Sequence, residues 1–402
     1  MNIIRFTTRI YPDIGGPARY TYMLSKYLSS KVFQLFNITC KPKRDYLAKR
    51  TVNSNFTIYY MPVIVPSEDD NILKKLTFIS KFVFYSIKKI LKLHRKYRID
   101  LIHCDNPPIT GIIAALFARL FKIPFIYTQH GPKIDSPYFF DYLLEARLVY
   151  RFSSYYIMIS KKYKRYYEKA NINTKKLIWI PNGVEINNFF RIQNKEEKKK
   201  MINDLDLSSI LDIDDFIIIC IGYMNKKLKT DGMIDLIFGF SKFLNTININ
   251  QKKKIKLLFI GDGKYREEIE NNIHSLDLSK NIFMLGIRKG INNFYAISDL
   301  FALTSHFEAF PTVFLEAVAS KIPCISTDVG EVKEILDNNS LVPVGDRDEI
   351  ANKLERIFKD KEFSKKIVEN SFKKIKKFDW KEVSRNIKKI YIETISKNFK
   401  KT

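Results

Sequence analysis

Residues Leu303 to Gly330 read LTSHFEAFPTVFLEAVASKIPCISTDVG, a pattern that predicts a strand, a loop, a helix, a second strand and a second loop. Pro311 suits the first turn of the predicted helix, because the N–H that proline lacks would have no partner there. The free amides of that turn and the positive end of the helix dipole form a site for an anion. The sequence therefore predicts a ligand site at a strand–helix junction.

Two glutamates flank this junction. Glu308 lies in the predicted loop, and Glu316 lies about one turn into the helix. A carboxylate in the helix can accept hydrogen bonds from two vicinal hydroxyls, as on a ribose, and Glu308 can reach a second hydroxylated ring. Taken singly, each glutamate is better explained as favouring a helix N-terminus or as a solvated surface residue. The whole string favours the binding role.

The same alternation of strands and helices continues along the 402-residue chain. The first half has predicted strands at Asn2–Arg9, Phe33–Cys40, Phe56–Met61, Leu101–Cys104, Phe125–Thr128, Tyr156–Ile159 and Leu177–Ile180. The second half has them at Phe216–Gly222, Lys256–Gly261, Ile282–Leu285, Leu300–Leu303 and Pro323–Ser326. Between these strands the pattern predicts helices that include Met233–Leu244 and Thr312–Ala319. This pattern predicts an α/β fold with two doubly wound, Rossmann-like domains. Ligands bind at the carboxyl ends of such strands, so we expect domains that face each other across a cleft.

The boundary between the two series is marked by a turn signal, Pro181-Asn182-Gly183. A polar, lysine-rich stretch follows it, and the next strand pattern begins at Phe216. We therefore predict a first domain over residues 1–184 and a second over residues 185–379, with a helical segment over residues 380–402.

The chain is strongly basic, with 69 lysines and arginines against 43 acids and a net charge of +26. Such an excess favours a polyanionic neighbour, which would be nucleic acid, anionic lipid or a phosphorylated substrate. Drift in composition explains it equally well. Because the charges are spread along the chain and no reader motif appears, a basic nucleic-acid-binding protein is kept only as an alternative, and nucleic acid is not an expected partner.

The cysteines and acids give no sign of a metal site. Cys40, Cys104, Cys220 and Cys324 lie far apart without a C-x-x-C pair, which predicts buried free thiols and a reducing compartment. No D-x-D pair stands in a strand–loop setting that would hold magnesium. The sequence shows neither a signal-peptide pattern nor a membrane-spanning apolar run. We expect a cytoplasmic protein, at most attached peripherally to the cytoplasmic face of a membrane.

The segment from Asn71 to Arg98 contains nine lysines or arginines and no acid. Apolar residues recur in it at spacings of three and four, which marks one face of a helix, at Ile72, Leu76, Ile79, Val83, Ile87 and Ile90. Two interpretations stay open. The face packs on the sheet as in an ordinary helix, or the helix lies on an anionic membrane surface that carries a lipid-linked acceptor.

Six stretches, taken in order, resemble one known family. Besides Leu303–Gly330 they are YPDIGGPARYTYMLSKYL (Tyr11–Leu28), Gln129-His130-Gly131, IGYMNKKLKTDG (Ile221–Gly232), FIGDGKYREEIE (Phe259–Glu270) and Phe378-Asp379-Trp380. Together they are similar to the retaining glycosyltransferases of family 4, which have the GT-B fold and an E-x7-E motif. The resemblance implies that the last helix, within residues 380–402, crosses back onto the first domain.

The resemblance implies specific roles in the second domain. Glu308 would contact the donor sugar, and Glu316 would bind the ribose of its nucleotide. Tyr223 replaces an arginine that is usual in the family, so the diphosphate cation would be Lys229, with Lys227 as the runner-up. Further implied donor-binding residues are Gly222, Gly261, Arg288, Phe310, Pro311 and Thr312.

In the first domain the resemblance points to a glycine loop and a histidine. Gly15 and Gly16 would lie beside the donor phosphates and the acceptor, although a plain strand–helix turn explains a Gly-Gly pair as well. His130 follows a predicted strand, where the family has a functional histidine near the transferred sugar. An imidazole can donate to a sugar hydroxyl or stabilise developing charge. The implied catalytic residues are therefore Glu308, His130 and Lys229.

The implied activity is retaining transfer of a sugar from a nucleotide diphosphate donor to a hydroxyl of a glycan or lipid-linked acceptor, in glycan or glycoconjugate biosynthesis. No cofactor and no metal is implied, because lysines can stabilise the departing diphosphate. The alternative enzyme on the same fold is a nucleotide-sugar epimerase, which would convert the donor without any acceptor.

Overall fold

The computed structural model describes residues 1–13, 15–42, 48–67, 70–105, 108–131, 147–169, 171 and 173–399. The chain divides into two units. The first contains Met1–Asn182 together with the segment from Trp380 onward, and the second contains Gly183–Asp379. The division after Asn182 falls inside the turn signal at residues 181–183.

The strands are short, and most of their residues are buried. They are β1 (Asn2–Phe6), β2 (Gln34–Cys40), β3 (Lys49–Asn53), β4 (Phe56–Met61), β5 (Leu101–Asp105), β6 (Phe125–Gln129), β7 (Tyr155–Met158), β8 (Leu177–Trp179), β9 (Phe216–Ile221), β10 (Ile255–Ile260), β11 (Ile282–Met284), β12 (Leu300–Leu303), β13 (Cys324–Thr327) and β14 (Leu341–Val342).

The helices alternate with the strands. They are α1 (Gly16–Leu28), α2 (Ile72–Tyr97), α3 (Pro108–Leu120), α4 (Lys164–Lys169), α5 (Lys195–Asp204), α6 (Lys227–Asn245), α7 (Ile249–Lys253), α8 (Arg266–Ser275), α9 (Ile291–Ile297), α10 (Thr312–Ala319), α11 (Arg347–Lys359), α12 (Lys361–Ile375) and α13 (Trp380–Phe399). Side-chain caps fix several starts. The Asn71 side chain accepts from the amide of Lys74 at α2, and Asp346 accepts from that of Glu349 at α11.

The first unit has one sheet in the order β3-β4-β2-β1-β5-β6-β7-β8. Its neighbours run parallel except for β3 and β4, which pair antiparallel. In the centre, Ile4 stands opposite Phe36 on one side and Ile102 on the other, so β1 is buried by both neighbours. The predicted parallel sheet is confirmed, and the sequence missed β3 because its residues, KRTVN, are mostly polar.

The second unit has a fully parallel sheet in the order β11-β10-β9-β12-β13-β14. Helix α6 packs closely on α11 at Gly239, where an added Cβ would lie 2.5 Å from Cγ2 of Ile350. The observed order reverses direction between β9 and β12. Such a switch point lies at the carboxyl ends of the strands, where a doubly wound sheet binds its ligands.

The last helix belongs to the first unit, as the resemblance implied. At its start Trp380 stacks beside Tyr20 and Tyr27 of α1, with ring centroids 5.5 Å and 6.4 Å away. Further along, the ring of Tyr391 meets Phe33 at 5.8 Å. These aromatic contacts bury one side of α13 in the core of the first unit.

Two further predictions concern the cysteines and the membrane-spanning helices. The four cysteines are free and buried, as predicted. Within the described ranges, no helix has the length and apolar character that a membrane crossing requires.

The basic segment forms the predicted helix, α2, and the structure contradicts one of the two interpretations of its apolar face, namely that this face packs on the sheet. Most of the proposed apolar face is exposed, and of its six residues only Ile90 is buried. The buried residues of α2 are Phe82, Ser86, Ile90 and Leu93, and Phe82 stacks on Phe6 of β1 at 5.5 Å. Because Phe82 and Ser86 supply the packing, the isoleucine and leucine stripe is left to solvent.

Candidate functional site

The junction between β12 and α10 has the predicted layout, with one difference at the helix start. Pro311 is the residue before the helix, with φ −71° and ψ 122°, and Thr312 is the first helical residue. The extended ψ explains why Pro311 precedes the first turn instead of lying in it. Pro311, as the N-cap residue, makes no side-chain capping bond to the first turn of α10, and proline has no polar side-chain atom to offer.

Glu316 is enclosed within this junction. It lies in α10 with only 3% of its surface exposed, and the Tyr295 hydroxyl stands 3.5 Å from its Oε2. The same hydroxyl donates to the backbone oxygen of Val313 at 2.8 Å. Tyr295 is therefore a neighbour of Glu316 that sequence analysis missed, because a tyrosine in a short, mostly apolar helix carries no motif.

Glu308 is held by two neighbours. The Lys229 ammonium lies 2.6 Å from Glu308 Oε1, and the Ser305 hydroxyl donates to the same oxygen at 3.2 Å. The side chains keep 10% exposure at Glu308 and 27% at Lys229, so the pair remains open to a ligand. Burial, and after it the charge of Glu308, raise the pKa of the Cys220 thiol to about 12, which leaves that thiol neutral beneath the site.

The loop after β12 is fastened to the start of α6, which brings Lys229 to Glu308. Thr304 donates its hydroxyl to the backbone oxygen of Gly232 at 2.7 Å, and the amide of His306 donates to that of Leu228 at 2.8 Å. A Cβ on Gly232 would stand 2.1 Å from the Thr304 oxygen, so only glycine allows this approach.

Lys229 therefore lies in the first turn of α6, whereas the sequence predicted a helix beginning only at Met233. The prediction was wrong because Thr230-Asp231-Gly232 resembles a turn. In the structure this glycine is helical and serves the close contact with the loop.

Lys227, the runner-up cation, has other partners. Its ammonium pairs with Asp231 at 2.9 Å and with Glu268, and those two hydrogen bonds raise its pKa, Glu268 having the larger effect. Half of the Lys227 side chain is exposed. The geometry therefore favours Lys229 over Lys227 as the cation beside Glu308.

Two glycines bring the ends of β9 and β10 together. Gly261 has φ +138°, and a Cβ there would lie 1.9 Å from the backbone oxygen of Gly222. The Gly222 amide in turn donates to the oxygen of Ile260 at 3.0 Å. A Cβ on Gly222 would in turn lie 2.9 Å from Cε of Met233, so both glycines serve close packing at the ends of these strands.

The remaining predicted donor residues differ in exposure. Phe310 is buried and meets Phe378 at 5.2 Å, and Thr312 is partly exposed. Arg288 is exposed, and its Nε donates to the backbone oxygen of Leu285 at 3.0 Å. Phe310 is thus a packing residue, whereas Arg288 and Thr312 have surface that a ligand can reach.

A second charged cluster, which sequence analysis missed, centres on Asp235 in α6. His306 Nε2 lies 2.6 Å from Asp235 Oδ2, and Arg347 Nε lies 2.8 Å from Oδ1. The Arg347 guanidinium also stands 4.0 Å from the centre of the Phe238 ring. Because His306 belongs to the same loop as Glu308, this cluster adds a second attachment of that loop to α6.

In the first unit, Gly15 and Gly16 begin α1. Gly15 caps the helix with φ +135°, a conformation that favours glycine. A Cβ added to either residue would meet no atom of the described residues within 4 Å.

His130 follows β6 and is nearly buried, with 9% of its surface exposed. Its Nε2 lies 3.3 Å from Oδ1 of Asp105, and its ring meets Tyr20 edge-on at 4.6 Å. Asp105 also takes an ion pair from the buried Arg5 and a hydrogen bond from Thr21 at 3.0 Å. Sequence analysis missed Asp105, although its place at the carboxyl end of β5 was a usable signal.

The charge state of Asp105 follows from these neighbours. Burial by itself would raise the pKa of this carboxyl, but the Arg5 charge and the His130 hydrogen bond outweigh burial and hold the pKa well below its ordinary value. Asp105 is therefore ionised at neutral pH and orients the His130 ring. His103, by contrast, is bonded at both ring nitrogens, to Tyr391 and Thr128, which makes it structural.

The sequence matches two family models along most of its length. "Glycosyltransferase Family 4" matches residues 14–188, and "Glycosyl transferases group 1" matches residues 210–374. One relative is the UDP-Gal:alpha-D-GlcNAc-diphosphoundecaprenol alpha-1,3-galactosyltransferase of Escherichia coli. It is 24% identical over 96% of this chain and 96% of its own.

Solved structures show the same fold. Sucrose-phosphate synthase from Thermosynechococcus elongatus superposes with a TM-score of 0.81 at 18% identity, covering 98% of this chain and 99% of that one. Anabaena Alr3699/HepE in complex with UDP-glucose superposes with a TM-score of 0.72 at 19% identity, covering 98% and 99%. These likenesses establish the GT-B fold that the sequence predicted.

Proposed function

The chain belongs to the family 4 glycosyltransferases of the GT-B fold, and on this premise we propose that it is a retaining enzyme with a nucleotide-sugar donor. The acceptor is a hydroxyl of a glycan or of a lipid-linked saccharide. The relative from Escherichia coli supports this, since its name describes a UDP-sugar donor and a diphosphoundecaprenol acceptor. The complex of Alr3699/HepE with UDP-glucose supports a uridine donor.

The observation that carries the proposal is the open ion pair between Lys229 and Glu308, next to the start of α10. A donor diphosphate would take the ammonium of Lys229 and the backbone amides of Thr312 and its neighbours. Lys229 would then release Glu308, whose carboxylate accepts from a hydroxyl of the donor sugar. Glu316, which lies beside Tyr295, accepts from the ribose hydroxyls.

In the reaction, the bond between the anomeric carbon and the phosphate oxygen breaks. The acceptor oxygen bonds to the same face of that carbon, and its proton passes to the leaving phosphate. Lys229 stabilises the negative charge that develops on the diphosphate, so this scheme needs neither a metal ion nor a cofactor. In this proposal the ring of His130, whose Nε2 donates to Asp105, accepts a hydrogen bond from a sugar hydroxyl at its other nitrogen.

We propose a cytoplasmic location, because nucleotide sugars are charged substrates and the buried free thiols suit a reducing compartment. Peripheral attachment to a membrane would bring the enzyme to a lipid-linked acceptor.

The first test measures thermal stability with UDP, ADP, GDP and their sugars. A ligand at about 100 times its Kd should stabilise the fold by about 2.7 kcal/mol. The selected donor is then incubated with glycan and lipid-linked acceptors, and the anomeric configuration of the product is read by NMR. A donor that is isomerised without any acceptor would show an epimerase instead. An inverted product would disprove retention, and loss of transfer with EDTA would disprove metal independence.

A further inference from the structure

Helix α2 carries an apolar stripe that no part of the described structure covers. Ile72 is 68% exposed and Leu73 is 70% exposed, values far above those of ordinary core residues. Other large apolar side chains of the helix are exposed as well, and these are Leu76, Ile79, Phe84 and Ile87. Single exposed apolar residues are common, but a continuous row along four turns indicates an interaction surface.

The stripe is separate from the face that packs on the first unit. At about 100° per residue, Ile72, Leu76 and Ile79 share one side of the helix. The packing residues Phe82 and Leu93 lie roughly a fifth to a quarter of a turn away from the centre of that side. The helix therefore has two apolar faces, of which one anchors it to its own unit and one is presented to solvent.

The third side of α2 is basic. Lys81, Lys88 and Arg95 repeat every seven residues beyond the exposed stripe, and no acid occurs from residue 71 to residue 98. An apolar stripe with a basic flank is typical of helices that lie in the interface of a membrane. Each lysine near an anionic surface adds about 1 kcal/mol of attraction.

The apolar surface extends beyond the helix. A groove runs along the first turns of α2 and is lined by residues 62–67 together with Leu73, Lys74 and Phe78. On its other wall Ile64 is also exposed. The surface offered by the stripe and the groove is broader than one helix, which suits an extended partner.

We propose that the exposed stripe of α2 docks the protein on the surface of an anionic lipid bilayer. Ile72, Leu76 and Ile79 enter the headgroup–acyl boundary, and the basic flank contacts the phosphates. A second copy of the chain is disfavoured as the occupant, because it would oppose nine positive charges with nine of the same sign. The docking identifies the surface for the peripheral attachment proposed above, and it does not rest on the sugar-transfer chemistry.

The test is flotation of the full chain with vesicles of phosphatidylglycerol and phosphatidylcholine, against vesicles of phosphatidylcholine alone. The wild-type protein should float with the anionic vesicles at low salt and partly at about 0.15 M salt. The variant Ile72→Ser/Leu76→Ser/Ile79→Ser should bind at least about tenfold more weakly at both. Failure of the wild type to float at low salt, or flotation of the variant like the wild type, would overturn the proposal.

Matched controls distinguish the stripe from general surface properties. The variant Ile249→Ser/Val344→Ser/Ile392→Ser removes three exposed apolar residues from other elements and should float like the wild type. If it loses flotation equally, the stripe has no special role. Every variant should be stabilised by the same nucleotide that stabilises the wild type. This measurement checks the fold and the donor site separately from lipid binding.

A second pair of variants tests the basic flank. Lys81→Glu/Lys88→Glu should reduce binding by at least about tenfold, whereas Lys365→Glu/Lys366→Glu, which changes exposed lysines of α12, should not. Equal loss in both pairs would mean that net charge alone drives binding, against the proposal. The remaining alternative is that a second copy of the chain covers the stripe. Analytical ultracentrifugation tests it, since a dimer that the stripe variant abolishes would assign the surface to a second copy.

Discussion

Each unit of this enzyme contains an ion pair formed by a carboxylate, and the two pairs differ in their exposure to solvent. Asp105 and Arg5 have no exposed side-chain surface, and Thr21 and His130 complete the enclosure. Glu308 in the second unit pairs with Lys229, which keeps about a quarter of its side chain exposed. The first pair has no access to solvent, whereas the second can exchange its partner for the charge of a ligand.

Because the two pairs differ in solvent exposure, they contribute differently to the protein. Removing Asp105 would leave a buried guanidinium without its counter-charge, and Nε and Nη1 of Arg5 have no hydrogen-bond partner among the residues that the structure describes. Removing Glu308 would leave an ammonium that can turn to water. We therefore expect the first pair to control folding and the second to control binding and turnover.

The largest expected effect is on stability, from Asp105→Ala. Breaking a buried pair by removing one partner typically costs about 3–5 kcal/mol in the free energy of unfolding. Urea denaturation of the full chain measures it. Asp348→Ala, which removes an exposed partner of Lys242, should cost less than about 1 kcal/mol. Similar losses from both variants would contradict the distinction between enclosed and open pairs.

The same carboxyl predicts a pH dependence. Because the folded-state pKa of Asp105 is lowered, its contribution is complete above the unfolded value of about 4 and is lost as the pH falls below it. Wild-type stability should therefore fall more steeply than that of Asp105→Asn between about pH 4 and pH 2. Parallel curves for the two proteins would show that the Arg5 charge does not hold this carboxyl ionised.

Variants of the open pair, Glu308 and Lys229, should lower sugar transfer strongly and change stability little. Glu308→Ala and Lys229→Ala should each lower sugar transfer by about 100-fold or more, since each removes a group that meets the transition state. The free energy of unfolding should change by less than about 1 kcal/mol. Lys242→Ala, on the same helix, is the matched control and should retain full transfer. Near-normal turnover of Glu308→Ala would refute its role.

Glu316 tests whether burial alone separates a carboxylate that controls folding from one that binds a ligand. It is buried like Asp105 but is proposed to bind the donor. Glu316→Ala should raise the donor KM roughly 30-fold, which corresponds to two lost hydrogen bonds at about 1 kcal/mol each. Steady-state kinetics at saturating acceptor measures it. A fall in kcat at unchanged KM would instead place the loss in the transition state.

The second unit was the more predictable of the two. Its buried parallel strands are apolar runs, and β12 and α10 have the predicted bounds, although Pro311 precedes the first turn of α10 instead of lying in it. The start of α6 was missed because Gly232 resembles a turn residue until the loop that it contacts is known. Contacts of this kind join residues about 70 positions apart, so no local pattern contains them.

The first unit hid more of its chemistry. Arg5 and Asp105 interrupt apolar strands, and nothing in one sequence indicates that they face each other across 100 residues. In α2, spacing identified an apolar face but could not say which of two apolar faces packs. Phe82 and Ser86 supply the packing, and serine carries no hydrophobic signal.

The smallest effect is expected at the start of α1, where a glycine variant tests whether the first unit also has an open ligand surface. Gly16→Ala introduces a Cβ that meets no atom of the described structure within 4 Å, in a backbone conformation that alanine tolerates. Folding stability should stay unchanged or rise by about 0.5 kcal/mol. If a ligand approaches the start of α1, the KM of donor or acceptor should rise about fivefold, or about 1 kcal/mol. Gly15→Ala should instead lower stability, because of its φ of +135°. Unchanged kinetics of Gly16→Ala would leave the glycine pair with the role of a turn, and the open binding surface would then belong to the second unit alone.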